Sequence, residues 1–320
     1  MSVFFDLSSY PVKPVLNRLL QDKTTKQNII FATDAYAYKG EEFAEKAQIT
    51  AEKLCGPGGV RILPRVEKAL EEQTLRQRKK AEVFTPSWVV NKMNNHCDEE
   101  WFSAPNVFNT EDGTGWIVTK DRIPFDEKRT WKKYVDSKRI EITCGEAPYI
   151  VSRYDTTTGE PIPIERRIGI LDRKLRVVNE NAADDAEWLK WTERAFQSSY
   201  GYEYQGDNLL IARINVLLTF VEYYEARFHQ QPTEKILRRY ATIICWNFWQ
   251  MDGITGTIPL SVPQTKEDET PQYSFLGFFD GVIDNFAIEE SPEIMPICRI
   301  MDWRDDRSVS YDDIRGGKGR

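Results

Sequence analysis

Three positions along this chain carry side chains that could together hold a nucleotide-like ligand. Gly145 follows a β-type run at residues 139–144, Glu203 stands in the run Tyr200-Gly-Tyr-Glu-Tyr204, and Asp252-Gly253 follows the run Trp246-Asn-Phe-Trp-Gln250. A glycine lets the backbone approach a ligand closely. A carboxylate at a strand end can accept both hydroxyls of a ribose, and an acid after the third strand can pair with an adenine amino group. In open parallel sheets the ligand crevice lies outside the carboxyl ends of the strands, where all three fall. Each is ordinary loop chemistry by itself; their order along the chain carries the inference.

Other chemistries have less to work with. The chain holds two histidines, His96 and His229, too few and too isolated for a histidine-rich metal site or a Ser/His/Asp hydrolase. Cys55, Cys97, Cys144, Cys245 and Cys298 share no close spacing, which argues against a zinc knuckle and a disulfide framework; reduced thiols are expected, and no metal. Nowhere do eighteen apolar residues run together, and Met1 is not followed by a secretory-signal pattern, so a cytoplasmic location away from membranes is expected.

The elements that would position these residues follow from periodicity. With 41% hydrophobic and 29% charged residues, the 320-residue chain can bury a core. Residues 1–80 read as a mainly helical extension, with helices over 14–20, 41–54 and 65–79, a short buried strand at 28–33 and a break at Cys55-Gly-Pro-Gly-Gly59. From Ala81 onward β-type runs alternate with amphipathic helices, the pattern of a sheet with crossover helices. Residues 167–171 and 175–178 read as two extended pieces about a turn at Asp172. Residues 187–199 read as a helix. Asp207 is expected to cap a long helix bearing Leu210, Ile214, Leu217, Leu218, Val221 and Tyr224, and Pro232-Thr233 to open another.

Four segments resemble the adenine-specific DNA methyltransferases of restriction–modification systems, which use S-adenosylmethionine. Ala81-Glu-Val-Phe-Thr-Pro-Ser-Trp-Val-Val90 is similar to the family's Phe-Thr-Pro segment, and Glu141-Ile-Thr-Cys-Gly-Glu-Ala-Pro-Tyr149 to its Asp-Pro-x-Cys-Gly-Ser-Gly-x-Phe loop. Residues 200–215 resemble the ribose-binding strand with its helix, and Asn247-Phe-Trp-Gln-Met-Asp-Gly253 the third motif. The likeness extends from about Arg78 to Gly253. It implies an α/β, Rossmann-like methyltransferase core over residues 81–263, following the N-terminal extension and preceding an acidic segment at 264–320. It also implies that S-adenosylmethionine is held by Phe84, Thr85, Pro86, Cys144, Gly145, Glu203 and Asp252.

The chain departs from that family in three places. Glu146 and Ala147 replace a small Ser-Gly pair, some 50 residues separate the first motif from the second, and the catalytic Asn/Asp-Pro-Pro-Tyr/Phe tetrapeptide is missing from the sequence. That tetrapeptide holds the flipped adenine. Its nearest approach is Phe279-Asp-Gly-Val-Ile-Asp-Asn-Phe286, with Asn285 in the polar, catalytic position. The resemblance implies N6-adenine methylation of DNA in restriction–modification or phage defence; a non-catalytic subunit binding cofactor or a partner protein is the alternative. Net charge is −7, and residues 264–313 alone carry −9, whereas the basic stretches 61–80 and 120–139 are short. Phosphate neutralisation needs many bases, so DNA recognition is expected to come from a partner subunit or a separately encoded domain of the restriction system.

Overall fold

The computed structural model describes residues 4–80, 85–263 and 293–315. In chain order its helices are α1 (Leu16–Leu19), α2 (Ala51–Cys55), α3 (Leu70–Lys80), α4 (Ser87–Phe102), α5 (Trp131–Val135), α6 (Ile170–Asn181), α7 (Asp185–Gln197), α8 (Gly206–Phe228), α9 (Glu234–Asn247) and α10 (Tyr311–Arg315). The strands are β1 (Asn109–Asp112), β2 (Gly115–Val118), β3 (Arg139–Ile142), β4 (Ser199–Glu203), β5 (Phe248–Gln250), β6 (Ser261–Pro263), β7 (Glu293–Met295), β8 (Arg299–Asp302) and β9 (Arg307–Ser310). The protein mixes helix and sheet, as the alternation of periods requires.

β3, β4 and β5 form a parallel sheet in that order, with Ile142 opposite Tyr202 and Glu203 opposite Gln250. Parallel neighbours need long crossovers; α6 and α7 lie between the first two strands in sequence, and α8 and α9 between the second and third. Side chains alternate across a strand. On one face Gly201 and Phe248 meet Cys144 and the main core, to which α6 to α9 contribute. On the other, Tyr200, Tyr202 and Trp249 cluster with Cys298 and Ile300. α8 is buried nearly all round, the mark of a helix inside the core. It ends where His229 turns left-handed, with φ 54°.

The helices beyond Asp184 agree closely with the periodicity. Asp184 caps α7 by accepting from the Glu187 N–H, while the Glu187 carboxylate reaches back to the Ala183 N–H. The expected extended pair at 167–178 is instead α6. Leu171, Leu175 and Val178 are buried at helical spacing, and that stripe outweighs the β-branched residues that read as strand. Asp207 is the second residue of α8, not its cap, and its carboxylate faces the N-terminal region.

The N-terminal region is not mainly helical. Apart from α1, α2, the longer α3 and short 3-10 turns at Lys13–Val15, Ala37–Lys39, Glu41–Phe43 and Arg65–Glu67 it is irregular, and the span 41–54 is helical only at Glu41–Phe43 and in α2. Instead of forming a strand, residues 28–33 make two isolated bridges, Asn28 to Gln21 and Ile30 to Gln48. Val15, Leu19, Leu20, Ile29, Phe31 and Ile49 nevertheless belong to the same hydrophobic cluster as α8. Arg213, buried on α8, donates from Nε to the Phe248 carbonyl at 2.8 Å and from a terminal nitrogen to the carbonyls of Leu19 and Gln21. Tertiary polar contacts of this kind leave no trace in local periodicity.

The tightest contact is at Gly206, whose N–H donates to the Phe31 carbonyl at 2.9 Å. A Cβ there would stand 1.9 Å from the Ile30 carbonyl oxygen. Gly206→Ala should therefore lift residues 30–31 off the start of α8 at a cost of about 1–3 kcal/mol or more, the range for overpacking. Urea unfolding measures it, and an unchanged midpoint would show that residues 30–31 do not lie against the helix start.

Candidate functional site

The carboxyl ends of β3 and β4 bring together two of the sequence-derived residues. Glu203, at the end of β4, accepts the Gly145 N–H at 2.7 Å and the Gln205 N–H at 3.1 Å, and is only 6% exposed. The turn after β3 reaches it because Thr143, Gly145 and Ala147 all have left-handed backbones, at φ 52°, 53° and 65°. Cys144 donates its N–H to the Tyr202 carbonyl and is buried against Gly201. A Cβ on Gly201 would lie 3.1 Å from both the Cys144 sulfur and the Phe248 ring. Burial pushes the Cys144 thiol far above its usual range, so it packs as a small hydrophobe and is no nucleophile.

The other predicted residues surround this pair more loosely. Thr85 accepts the Thr156 hydroxyl at its carbonyl, and Pro86 stands at the N-cap of α4. That helix is fastened to the chain leaving the β3 turn: Asn94 donates to the Tyr149 and Ile168 carbonyls at 3.1 and 3.0 Å. Asp252 lies just beyond Met251, whose N–H donates to the Glu203 carbonyl. Its own carboxylate accepts the Ile254 N–H at 2.8 Å and closes a local turn. Phe84 and Asn285 lie outside the described residues. Among the described residues no group of three or more His, Cys, Asp or Glu is placed to hold a metal ion, and no helix is long and apolar enough to cross a membrane.

Several residues that the sequence reading passed over are central here. Glu146, which stands beside Gly145 in place of a small residue, turns inward: its carboxylate accepts the Arg65 N–H at 2.6 Å and the Tyr154 hydroxyl at 2.7 Å. Gln250 accepts the Ile30 N–H and donates to the carbonyls of Ile30 and Tyr204, all at 2.9 Å, laying the N-terminal segment across the ends of β4 and β5. Asp207 takes Arg76 at 2.9 Å, the Tyr36 hydroxyl at 2.9 Å and Lys68 at 3.6 Å. Burial pushes that carboxyl up, but Arg76, Lys68 and Tyr36 outweigh it and hold it below the usual range. A lone glutamine in an otherwise aromatic strand was the one available signal, since such a side chain must find partners when buried.

Glu203 behaves in the opposite way. Burial raises its carboxyl above the ordinary value, against the lowering effect of the Gln205, Gly145 and Tyr204 N–H groups. A carboxylate offers about four acceptor positions. Two are engaged by the Gly145 and Gln205 N–H groups, and two remain open. Comparison of the chain with protein-family models, with curated proteins and with solved structures returned no match.

A second acid lies close by. Glu141, on β3, accepts the Tyr149 N–H at 3.4 Å and leaves Oε2 buried without a hydrogen bond. Burial pushes its carboxyl well above 4.5; the Tyr149 and Ile150 N–H groups oppose this, and the Glu203 charge adds to it. The folded chain holds this proton more tightly than the unfolded one. The contribution to stability is therefore complete below the unfolded value and lost as pH rises through the folded value. Glu141→Gln, neutral throughout, should match the parent in acid and exceed it increasingly above about pH 4.5. Urea titrations across pH would show this, and a difference that does not change with pH would mean that Glu141 does not titrate in the fold.

Proposed function

We propose that this chain is a Rossmann-like, S-adenosylmethionine-binding protein of the DNA adenine-N6 methyltransferase type, acting as the modification component of a restriction–modification or phage-defence system. The observation that supports it most is the 2.7 Å bond from the Gly145 N–H to the Glu203 carboxylate, which joins the ends of adjacent parallel strands. Doubly wound sheets bind nucleosides at such strand ends. Glu203 would accept the ribose hydroxyls at its remaining positions, Gly145 would admit the ligand to the backbone, and α4, opened by Pro86, would flank it. When bound, the cofactor supplies the methyl group.

The second reading is a non-catalytic subunit that binds cofactor or a partner protein. The lack of Asn/Asp-Pro-Pro-Tyr/Phe in the sequence favours it, with Asn285 as the nearest substitute. In either reading the acidic stretch of residues 264–313 is repelled by DNA, and contact with the target sequence comes from a partner subunit or recognition domain.

Two measurements separate these readings. A charge-assisted hydrogen bond is worth roughly 1.5–3 kcal/mol, so Glu203→Gln should weaken S-adenosylmethionine binding about ten- to a hundredfold by calorimetry. Unchanged affinity in the folded variant would remove Glu203 from the site. Transfer of a labelled methyl group to DNA, by this chain alone and with its partner subunit, tests catalysis. Binding without incorporation in both conditions leaves the non-catalytic subunit as the answer.

A further inference from the structure

The hairpin β1–β2 and the loop between β3 and α6 enclose two adjoining cavities, of 470 and 640 Å³. Apart from Pro86, they share no residue with the cofactor reading. Trp88 and Trp116 line the smaller cavity; Lys120 and Arg167 line the larger; Arg166 lines both. Successive residues of a strand point to opposite faces, which is how Trp116 and Ile117 of β2 come to serve different cavities.

The two tryptophans differ from those of the core. Trp101, Trp131, Trp188, Trp191 and Trp249 each pack against another ring; among the described residues Trp88 and Trp116, like Trp246 and Trp303, pack on none, and Trp88 is 39% exposed. Trp116 is nonetheless held in place. Its indole N–H donates to the Arg166 carbonyl at 2.8 Å, and the Arg166 guanidinium lies 5.7 Å from its ring centre. The bases divide as well. Arg167 is paired with Glu222 and Arg176 with Glu180, but Lys120 and Arg166 have no carboxylate partner among the described residues. Asp155, which lines the smaller cavity with Trp88, is spent on the N–H groups of Ser87, Thr157 and Thr158.

We propose that these cavities bind single-stranded nucleic acid, with a base stacked against Trp88 and Trp116 and the neighbouring phosphates meeting Lys120 and Arg166. Fixed indoles beside cations are the recurring means of holding unpaired strands. A duplex keeps its base faces covered, so it cannot use the indoles. A proline-rich peptide, which aromatic walls also attract, would leave both cations idle. The free acids Glu160 and Glu165, at the same cavities, cancel much of the attraction for phosphate, so stacking carries the affinity and the salt dependence is shallow. This inference is independent of the cofactor reading.

Fluorescence anisotropy with the full chain and a labelled single-stranded oligothymidylate tests it, against a duplex and a proline-rich peptide as competitors. Stacking is worth about 1–3 kcal/mol per base. Trp88→Ala and Trp116→Ala should each weaken binding about 5- to 150-fold, while Trp88→Phe retains most of it and shows that the fold is intact. Replacing Lys120 and Arg166 together by serine should flatten the salt dependence. Single-strand affinity unaffected by either tryptophan, equal or tighter binding of the duplex, an unaltered salt dependence in the double variant, or displacement by the peptide would each overturn the proposal.

Discussion

The turn Glu203–Asp207, where β4 passes into α8, organises the whole ligand end of the sheet. Its acidic and amide side chains collect distant parts of the chain: Glu203 takes the β3 turn, Gln205 and Asp207 share the guanidinium of Arg76, and Asp207 also takes Tyr36. Gly206 completes the arrangement by having no Cβ, because only then can the Ile30 carbonyl come so near. Buried polar groups cost free energy unless paired. Here the pairing is arranged so that satisfying the turn also fastens the N-terminal region, which has little regular structure of its own, to the sheet.

The two acids of the turn show how position decides charge. Asp207 and Glu203 are both deeply buried, yet burial wins at Glu203 and loses at Asp207. The difference is the kind of partner. Backbone N–H groups are partial charges, and three of them do not offset the desolvation of Glu203; Arg76 and Lys68 bring full charges to Asp207. Glu203 is therefore left less fully compensated than Asp207, which is committed to structure. Glu141 is less satisfied still, with one buried oxygen unbonded.

Legibility in the sequence followed the range of the interaction. α7, α8 and α9 and the strands β3, β4 and β5 were readable because amphipathic period, caps and β-rich runs are local signals. Gly145 and Glu203 were readable as a pair because they recur at strand ends, a regularity of open sheets. The remainder depended on contacts between distant residues. Residues 167–178 misled because Ile168, Ile170, Val177 and Val178 favour strand locally, and only the burial of Leu171, Leu175 and Val178 on one side makes them helix. Glu146 looked like an intrusion into ligand space because nothing near it in sequence announces Arg65 or Tyr154 as its partners. The N-terminal region looked helical from its periodicity, but its apolar residues serve a core shared with α8 and α9.

Charge then constrains what such a protein can do with nucleic acid. A net −7, with −9 in residues 264–313, gives long-range repulsion from a polyanion, so counterion release cannot supply the affinity on which duplex-binding proteins depend. Short-range contact must supply it instead, and that requires base faces that are already exposed. The aromatic surface available for it is that of Trp88 and Trp116 beside the β1–β2 hairpin. Under the single-strand proposal such a surface would take bases one at a time rather than read a helix.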